Sequence, residues 1–421
     1  MTSKTKNAYL AILQEELRPA VGCTEPLSVA YAAALMRRQL GTQPERIKIG
    51  VSGNILKNVK SVIVPNSGGL RGIQPAVAMG IVAGDPDAKL QVIAKVPPGT
   101  IKQCKAFLKA VPIEVYCLAT PLQLDILIHG YAGSDSATVR IALGHTNLVY
   151  LAKNDTVLLD VPAEKGSEGT GCDQSALTIS GIVEFARSVE LDLVRPMICR
   201  QIQMNSAIAQ EGLKHNYGSG IGKLLLSRAT GIEEEAMAYA AAGSDARMGG
   251  CSMPVVILSG SGNQGLTASV PVILYAQKLG ANEEELIRAL LVASLTAIHL
   301  KTGIGKLSAY CGAVSAGAGA GAGIAFLKGA DTQEISGTVS NTIATLSGML
   351  CDGAKASCAA KIAMAVRAGI MGYELQKAGG GFRKGDGIVG GNPEATIQNV
   401  GVIAREGMRE TDRVVLGIML R

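Results

Sequence analysis

Tryptophan is absent from this chain, and phenylalanine and tyrosine bring the aromatics to only 3% of its 421 residues. A core with so few large rings must be filled by small and aliphatic side chains. The 48% hydrophobic content and 52 glycines therefore point to closely spaced Ala/Gly-rich helices. Few rings also means few platforms for base stacking. The net charge of +6 is scattered, without a run of lysine or arginine, so nucleic acid is not an expected partner. An apolar leader is missing as well: Met1–Leu17 is polar and amphipathic, and no signal peptide is expected. The nine cysteines are odd in number and spread along the chain, unlike a secreted disulfide framework; they point to a reducing compartment and a cytoplasmic protein.

Charge is also absent from the 21 residues between Lys306 and Lys328, a length that could span a bilayer, and the mean hydropathy is +0.27. That segment is mostly Gly, Ala and Ser, it carries Tyr310 and Cys311, and its neighbours are short amphipathic helices with regular charges. It reads as a buried central helix, with no membrane association.

A chain of this length should hold two or three domains. Residues 6–18 repeat with helical period until Arg18-Pro19 breaks the pattern, and a second helix is expected over Leu27–Leu40. From about Arg46 the texture becomes strand-like. Strands are expected over Ile47–Val51, Ile113–Leu118, Leu124–Tyr131, Ala137–Leu143, Leu148–Lys153 and Thr156–Val161, the last four as a meander. The Gly/Ser-rich stretch Glu164–Gln174 is the best boundary. Beyond it the pattern is almost wholly helical up to about Tyr373, followed by a glycine-rich loop (Gly379–Gly391) and a last helix over Ala395–Met408. The expected fold class is α+β. A large all-helical domain (174–421) carries the chemistry, a strand-rich α+β domain (45–163) is inserted before it, and the N-terminal helices (1–44) pack on the helical domain.

Five short stretches carry the functional signal. In Met349–Cys358 two cysteines stand seven residues apart across an Asp-Gly turn. Straight helix would rise about 10.5 Å over that interval, but Asp352 capping a helix from Ala354, with Gly353 at positive φ, would turn Cys351 and Cys358 toward one point. Alternatively both pack as small hydrophobes. Cys23, in Gly22-Cys23-Thr24-Glu25-Pro26, precedes a helix for which Thr24 is a plausible N-cap. The helix dipole would favour its thiolate; otherwise it is a buried cysteine. His145 sits in the turn Gly144–Asn147, either solvated or presented to a cleft. Ser244–Gly250, expected as a loop, offers Arg247, whose fork suits a carboxylate. Ser259–Gly265 (SGSGNQG) leads into a helix and forms either an anion nest or a tight turn; it lacks the Lys-Ser/Thr ending of a Walker A loop.

Taken together, GCTEP, GHTN, SDARMGG, SGSGNQG, Cys311 and CDGAKASC resemble the L-cysteine desulfidase family, which is related to the alpha part of iron–sulfur L-serine dehydratases. The resemblance runs over roughly residues 8–415. The spacing of Cys351 and Cys358 is narrower than the serine dehydratases use for their last two cluster cysteines. The resemblance implies a [4Fe–4S] cluster on Cys311, Cys351 and Cys358, with one iron open as a Lewis acid. It further implies substrate binding by Thr24, Arg247, Ser261, Gly262, Asn263 and Gln264, and catalytic roles for Cys23 and His145. The implied reaction is β-elimination of L-cysteine to pyruvate, ammonia and sulfide. L-serine deamination is the alternative within the same chemistry, and a cluster-free protein binding a small amino acid is the alternative outside it. The expected partner is that small amino acid, with a homo-oligomer left open. No motif places the lysine of a pyridoxal phosphate enzyme.

Overall fold

Buried side chains alternate along Arg46–Val51 (β2), where Ile47, Ile49 and Val51 are fully enclosed. A strand sealed in this way needs partners on both edges, and it has them. The computed structural model describes residues 1–163, 172–305 and 308–420. In it β2 pairs in parallel with β3 (Ile113–Cys117) and antiparallel with β4 (Asp125–Ala132). The antiparallel series continues through β5 (Asp135–Ala142), β6 (Leu148–Lys153) and β7 (Thr156–Asp160), giving the order β3-β2-β4-β5-β6-β7. The parallel pair requires a long crossover, supplied by helices α3 (Gly53–Val59), α4 (Ile73–Ala83) and α5 (Thr100–Ala110).

The two N-terminal helices part company. Tyr9, Ile12 and Leu13 of α1 (Ser3–Glu16) join the helical core beside Leu177 and Phe185. By contrast, α2 (Thr24–Leu40) belongs to the sheet core, with Leu27, Ala30 and Met36 packed among side chains of the sheet and α4. The approach is close: a Cβ on Gly80 would lie 2.1 Å from the Ala30 carbonyl oxygen, and one on Gly130 2.1 Å from Met36 Sδ. A helix apolar on nearly every face cannot be satisfied by one neighbour, so α2 is sandwiched rather than laid on the helical part. Between α1 and α2, β1 (Pro19–Val21) pairs antiparallel with β8 (Pro254–Val256). That pairing brings Gly22–Thr24 beside Gly260, just ahead of the helix that begins at Gly262.

The helical part comprises α6 (Ile179–Ser188), α7 (Leu191–Lys214), α8 (Ile221–Leu226), α9 (Ile232–Met248), α10 (Gly262–Leu279), α11 (Glu283–Thr302), α12 (Gly312–Leu327), α13 (Thr332–Thr345), α14 (Cys358–Lys377), α15 (Pro393–Val402) and α16 (Met408–Leu420). The uncharged segment is the central helix α12, buried from Ala313 through Ala325. Its Ala-Gly alternation serves two faces. Gly317 and Gly321 let it meet α14, where added Cβ atoms would stand 2.3 Å from the Ala365 oxygen and 2.4 Å from the Gly369 oxygen; Gly319 meets the Ala293 oxygen of α11 in the same way, at 2.4 Å. Among the described residues no helix is long and apolar enough to cross a membrane. The architecture is α+β.

Four local expectations are corrected. Ser244–Met248 is the last turn of α9 rather than a loop, because its side chains are buried. α10 begins at Gly262, so Asn263 and Gln264 are helical. α14 begins at Cys358 and not Ala354, since Asp352 is drawn to Lys355 and Lys361 instead of capping it. The last helix is longer than expected, interrupted by a π-helical turn at Ile403–Gly407 and then carried on as α16. Residues 164–171 of the expected connector, and Leu307 at the expected start of α12, lie outside the described residues.

Gly369→Ala should place its methyl against the Gly317 carbonyl oxygen, 2.2 Å away. The overpacking is expected to cost about 1–3 kcal/mol, read as a lowered midpoint in chemical denaturation, whereas Ala→Gly at exposed helix positions would produce less.

Candidate active site

Cys311 and Cys351 are forty positions apart in sequence and become neighbours through a minimal antiparallel ladder. Tyr310 bridges Leu350, the Cys311 amide donates to the Met349 carbonyl at 3.0 Å, and the Cys351 amide donates to the Ala309 carbonyl at 2.6 Å. The two thiols hydrogen-bond to each other. Cys358 is the first residue of α14, with Sγ 3.7 Å from the Gly353 carbonyl oxygen. Gly353 takes φ +92°, and a Cβ there would lie 2.3 Å from the Lys57 carbonyl oxygen. The turn is thus pressed on α3 of the sheet part, and only glycine suits it.

Cys23 occupies the N-cap position of α2 without a side-chain cap, and it packs with Val62, Met248, Ala354 and Cys358. Thr24 is the first helical residue, not the cap; its hydroxyl donates to the Gly260 carbonyl at 2.9 Å. One cavity of about 120 Å³ is lined by all four thiols together with Thr24, Arg247, Ser261, Asn263 and Gln264. Its size suits a small amino acid and is far too small for a nucleotide.

Arg247 is 3% exposed and is not spent on Asp245, whose carboxylate accepts from the Ser219 and Gly222 amides. It donates instead to Asn263 Oδ1 at 2.6 Å and to the Gly22 carbonyl at 2.5 Å, and its Nε is buried without a partner. Gly262 is not on the cavity wall but stands behind it, where a Cβ would lie 2.5 Å from Arg247 Cζ. Ser261 caps α10, accepting from the Gln264 amide. Gln264 Oε1 and Tyr310 Oη are also buried without partners. Unpaired buried polar groups are costly, and three of them around one cavity suit a polar ligand. His145 is placed differently from the others. Its ring lies against Gly260 and its carbonyl accepts from Ser28, but it is not among the residues lining the cavity.

Two lysines that sequence reasoning passed over shape the electrostatics. Lys57 is 2% exposed and pairs with Asp412 at 2.5 Å; Lys301, at the last turn of α11, is 5% exposed and lines the cavity. A lysine at a helix C-terminus ordinarily reads as a solvated partner of the dipole, and nothing local marks either as buried. Burial takes Lys301 down to about 8, opposed by the nearby charge on Cys351 and Cys311. The hydrogen bond from Cys311 holds Cys351 as the thiolate, down to about 5 against the effect of burial, with Lys57 and Lys301 adding to it. The shared proton stays on Cys311, which the same hydrogen bond and burial push well above its usual range. Burial also raises Cys358. It pushes Cys23 up to about 12 despite the neighbouring Arg247, so the expected thiolate at the head of α2 is overruled and the group is a neutral thiol.

The donor set suits a sulfur-ligated cluster: three thiols on one wall, with cations beside them to balance thiolate charge. Among the described residues no three His, Cys, Asp or Glu side chains group closely enough to hold a single metal ion, and a multinuclear cluster spreads its ligands more widely than one ion does. In the cluster-free protein, alkylation should follow the thiolate populations. Cys351, with its value near 5, is expected to react with iodoacetamide at neutral pH, and Cys23, near 12, only in strong alkali. Peptide mass mapping across pH reads both; equal labelling of the two at neutral pH would contradict the assignment.

The family model described as serine dehydratase alpha chain matches residues 88–417. A UPF0597 protein of Desulfitobacterium hafniense is 48% identical over 413 residues, covering 98% of this chain and 96% of the relative. Those of Treponema denticola and Fusobacterium nucleatum are 45% and 43% identical, each over 98% of this chain and 97% and 98% of the relative, respectively. With that match over most of its length, on a cavity ringed by four cysteines and one buried arginine, the chain belongs to the serine dehydratase alpha chain family.

Proposed function

We propose that the cavity performs β-elimination on a small amino acid bearing a leaving group at Cβ, with L-cysteine as substrate and pyruvate, ammonia and sulfide as products. The observation that supports this most is the meeting of Cys23, Cys311, Cys351 and Cys358 with Arg247 around a single small cavity. Cys311, Cys351 and Cys358 would hold a [4Fe–4S] cluster, which when bound supplies Lewis acidity at an open iron, soft enough to suit sulfur.

The remaining work falls to the protein's own groups. The substrate carboxylate is met by Arg247, buried on the cavity wall, and by the capped N-terminus of α10 at Ser261–Gln264. Tyr310 Oη and Gln264 Oε1 are available for the amino group and its neighbourhood. A base on the wall must take the proton from Cα; Lys301, whose neutral amine is populated near pH 8, is placed for that role ahead of His145, which is off the wall. The protonated Cys23 thiol can deliver a proton to the departing sulfur or oxygen and take one back at the end of the cycle. Loss of the leaving group yields aminoacrylate, which tautomerises to the imine and hydrolyses to pyruvate and ammonia. The family match favours L-serine, dehydrated by the same steps, as the second reading.

Anaerobically purified protein should show a broad visible absorption band and release pyruvate from a panel of small amino acids, with sulfide in equal amount from L-cysteine. A colourless protein that turns over neither L-cysteine nor L-serine would overturn the reading in favour of a cluster-free binding protein. Arg247→Lys should raise KM about 10- to 100-fold, the worth of one or two charge-assisted hydrogen bonds, and leave the visible band intact. Cys23→Ser should keep the band and lower kcat by roughly a hundredfold or more; a band lost along with activity would make Cys23 a ligand instead.

A further inference from the structure

On the far side of Ser308, which lines both spaces, lies a second and larger cavity of about 310 Å³. Besides Ser308 and Ala309, its walls come from Asn54 of α3, the segment Pro121–Gln123 before β4, Ile304 after α11, and the π-helical turn with the head of α16. The catalytic reading above uses none of the charged groups here. Asn54 Oδ1 is buried and without a hydrogen-bond partner. Arg409 is exposed on the rim and, among the described residues, has neither an ion pair nor a hydrogen bond, unlike Arg405, which donates to the Gly303 carbonyl. Asp412 lines the same space while one carboxylate oxygen accepts from Lys57.

A lone buried acceptor and a carboxylate call for a cationic donor, and an unengaged guanidinium calls for an anion. One small molecule carrying both charges meets all three. We propose that this cavity is a second binding site, for a small zwitterionic α-amino acid, with its carboxylate on Arg409 and its ammonium on Asn54 Oδ1 and Asp412. The ligand would touch the thiol cavity at one remove: an ammonium beside Asp412 competes with Lys57, whose backbone carbonyl is the one against which Gly353 turns. The π-helical turn is the element best able to shift, since such turns are strained insertions in helices and recur at functional sites.

The proposal does not rest on β-elimination, and L-alanine tests it apart from turnover because it has no leaving group. Calorimetric titration of the full chain with L-alanine should show a binding event that Arg409→Ala and Asn54→Leu each weaken at least tenfold and that Arg247→Lys leaves unchanged. Arg409 is exposed, so its replacement leaves the core intact. Propionate, which lacks the ammonium, should bind at least tenfold more weakly than L-alanine. The site is disproved if wild-type protein takes up no L-alanine, if the Arg409 and Asn54 variants reproduce the wild-type isotherm, or if propionate binds as well as L-alanine. Pyruvate release by the Arg409 variant at saturating substrate separately reports on the β-elimination reading.

Discussion

Negative charge on buried sulfur is costly unless a cation stands close by. That constraint governs the centre of this molecule. Cys351 can be a thiolate because Cys311 donates to it and because Lys57 and Lys301 are buried within reach of its field. Each of those groups comes from a different part of the chain: a loop before α14, the residue before α12, a helix of the sheet part, and the end of α11. The cavity lies where the two cores meet: the head of α2 and Asn58 of α3 line it from the sheet part, with Lys57 buried behind them.

Such a meeting depends on small residues. Gly353 against Lys57, Gly262 behind Arg247 and Gly312 against Gln264 each leave no room for a Cβ, the last at 2.6 Å. The same economy runs through the core, where the glycines of α12 bring two neighbouring helices to backbone contact. With few aromatics to fill gaps, close approach of backbones is how this interior reaches the density of a protein core. Closely packed interiors transmit strain instead of absorbing it, and this gives the Lys57–Asp412 pair, at the edge of the second cavity, a mechanical as well as an electrostatic link to the thiols.

Protonation of the sulfurs shows two effects of comparable range in competition. At the head of α2 the dipole and Arg247 favour the Cys23 thiolate, but nearly complete burial outweighs them and the thiol keeps its proton. At Cys351 the desolvation is similar, yet a direct hydrogen bond and two lysines reverse the outcome. The same residue type in the same cavity is thereby held in two states, anionic at Cys351 and neutral at Cys23.

Local periodicity alone determined much of what is seen: the strands of the meander, the α+β class and the buried, uncharged α12. The grouping of cysteines with the Arg247 and SGSGNQG segments came from the family resemblance that these motifs carry together, and the same cavity lining includes them. Helix ends were legible only approximately, since burial of Ser244–Met248 and the pull of Lys355 and Lys361 on Asp352 override local capping preferences. Tertiary structure alone decided that α2 lies in the sheet core, that β1 reaches β8, that His145 stands off the cavity wall, and that Lys57 and Lys301 are buried beside sulfur. A residue's own sequence neighbours report its local conformation, whereas burial and electric field are set by groups brought near by the fold, and for these lysines those groups lie tens to hundreds of positions away.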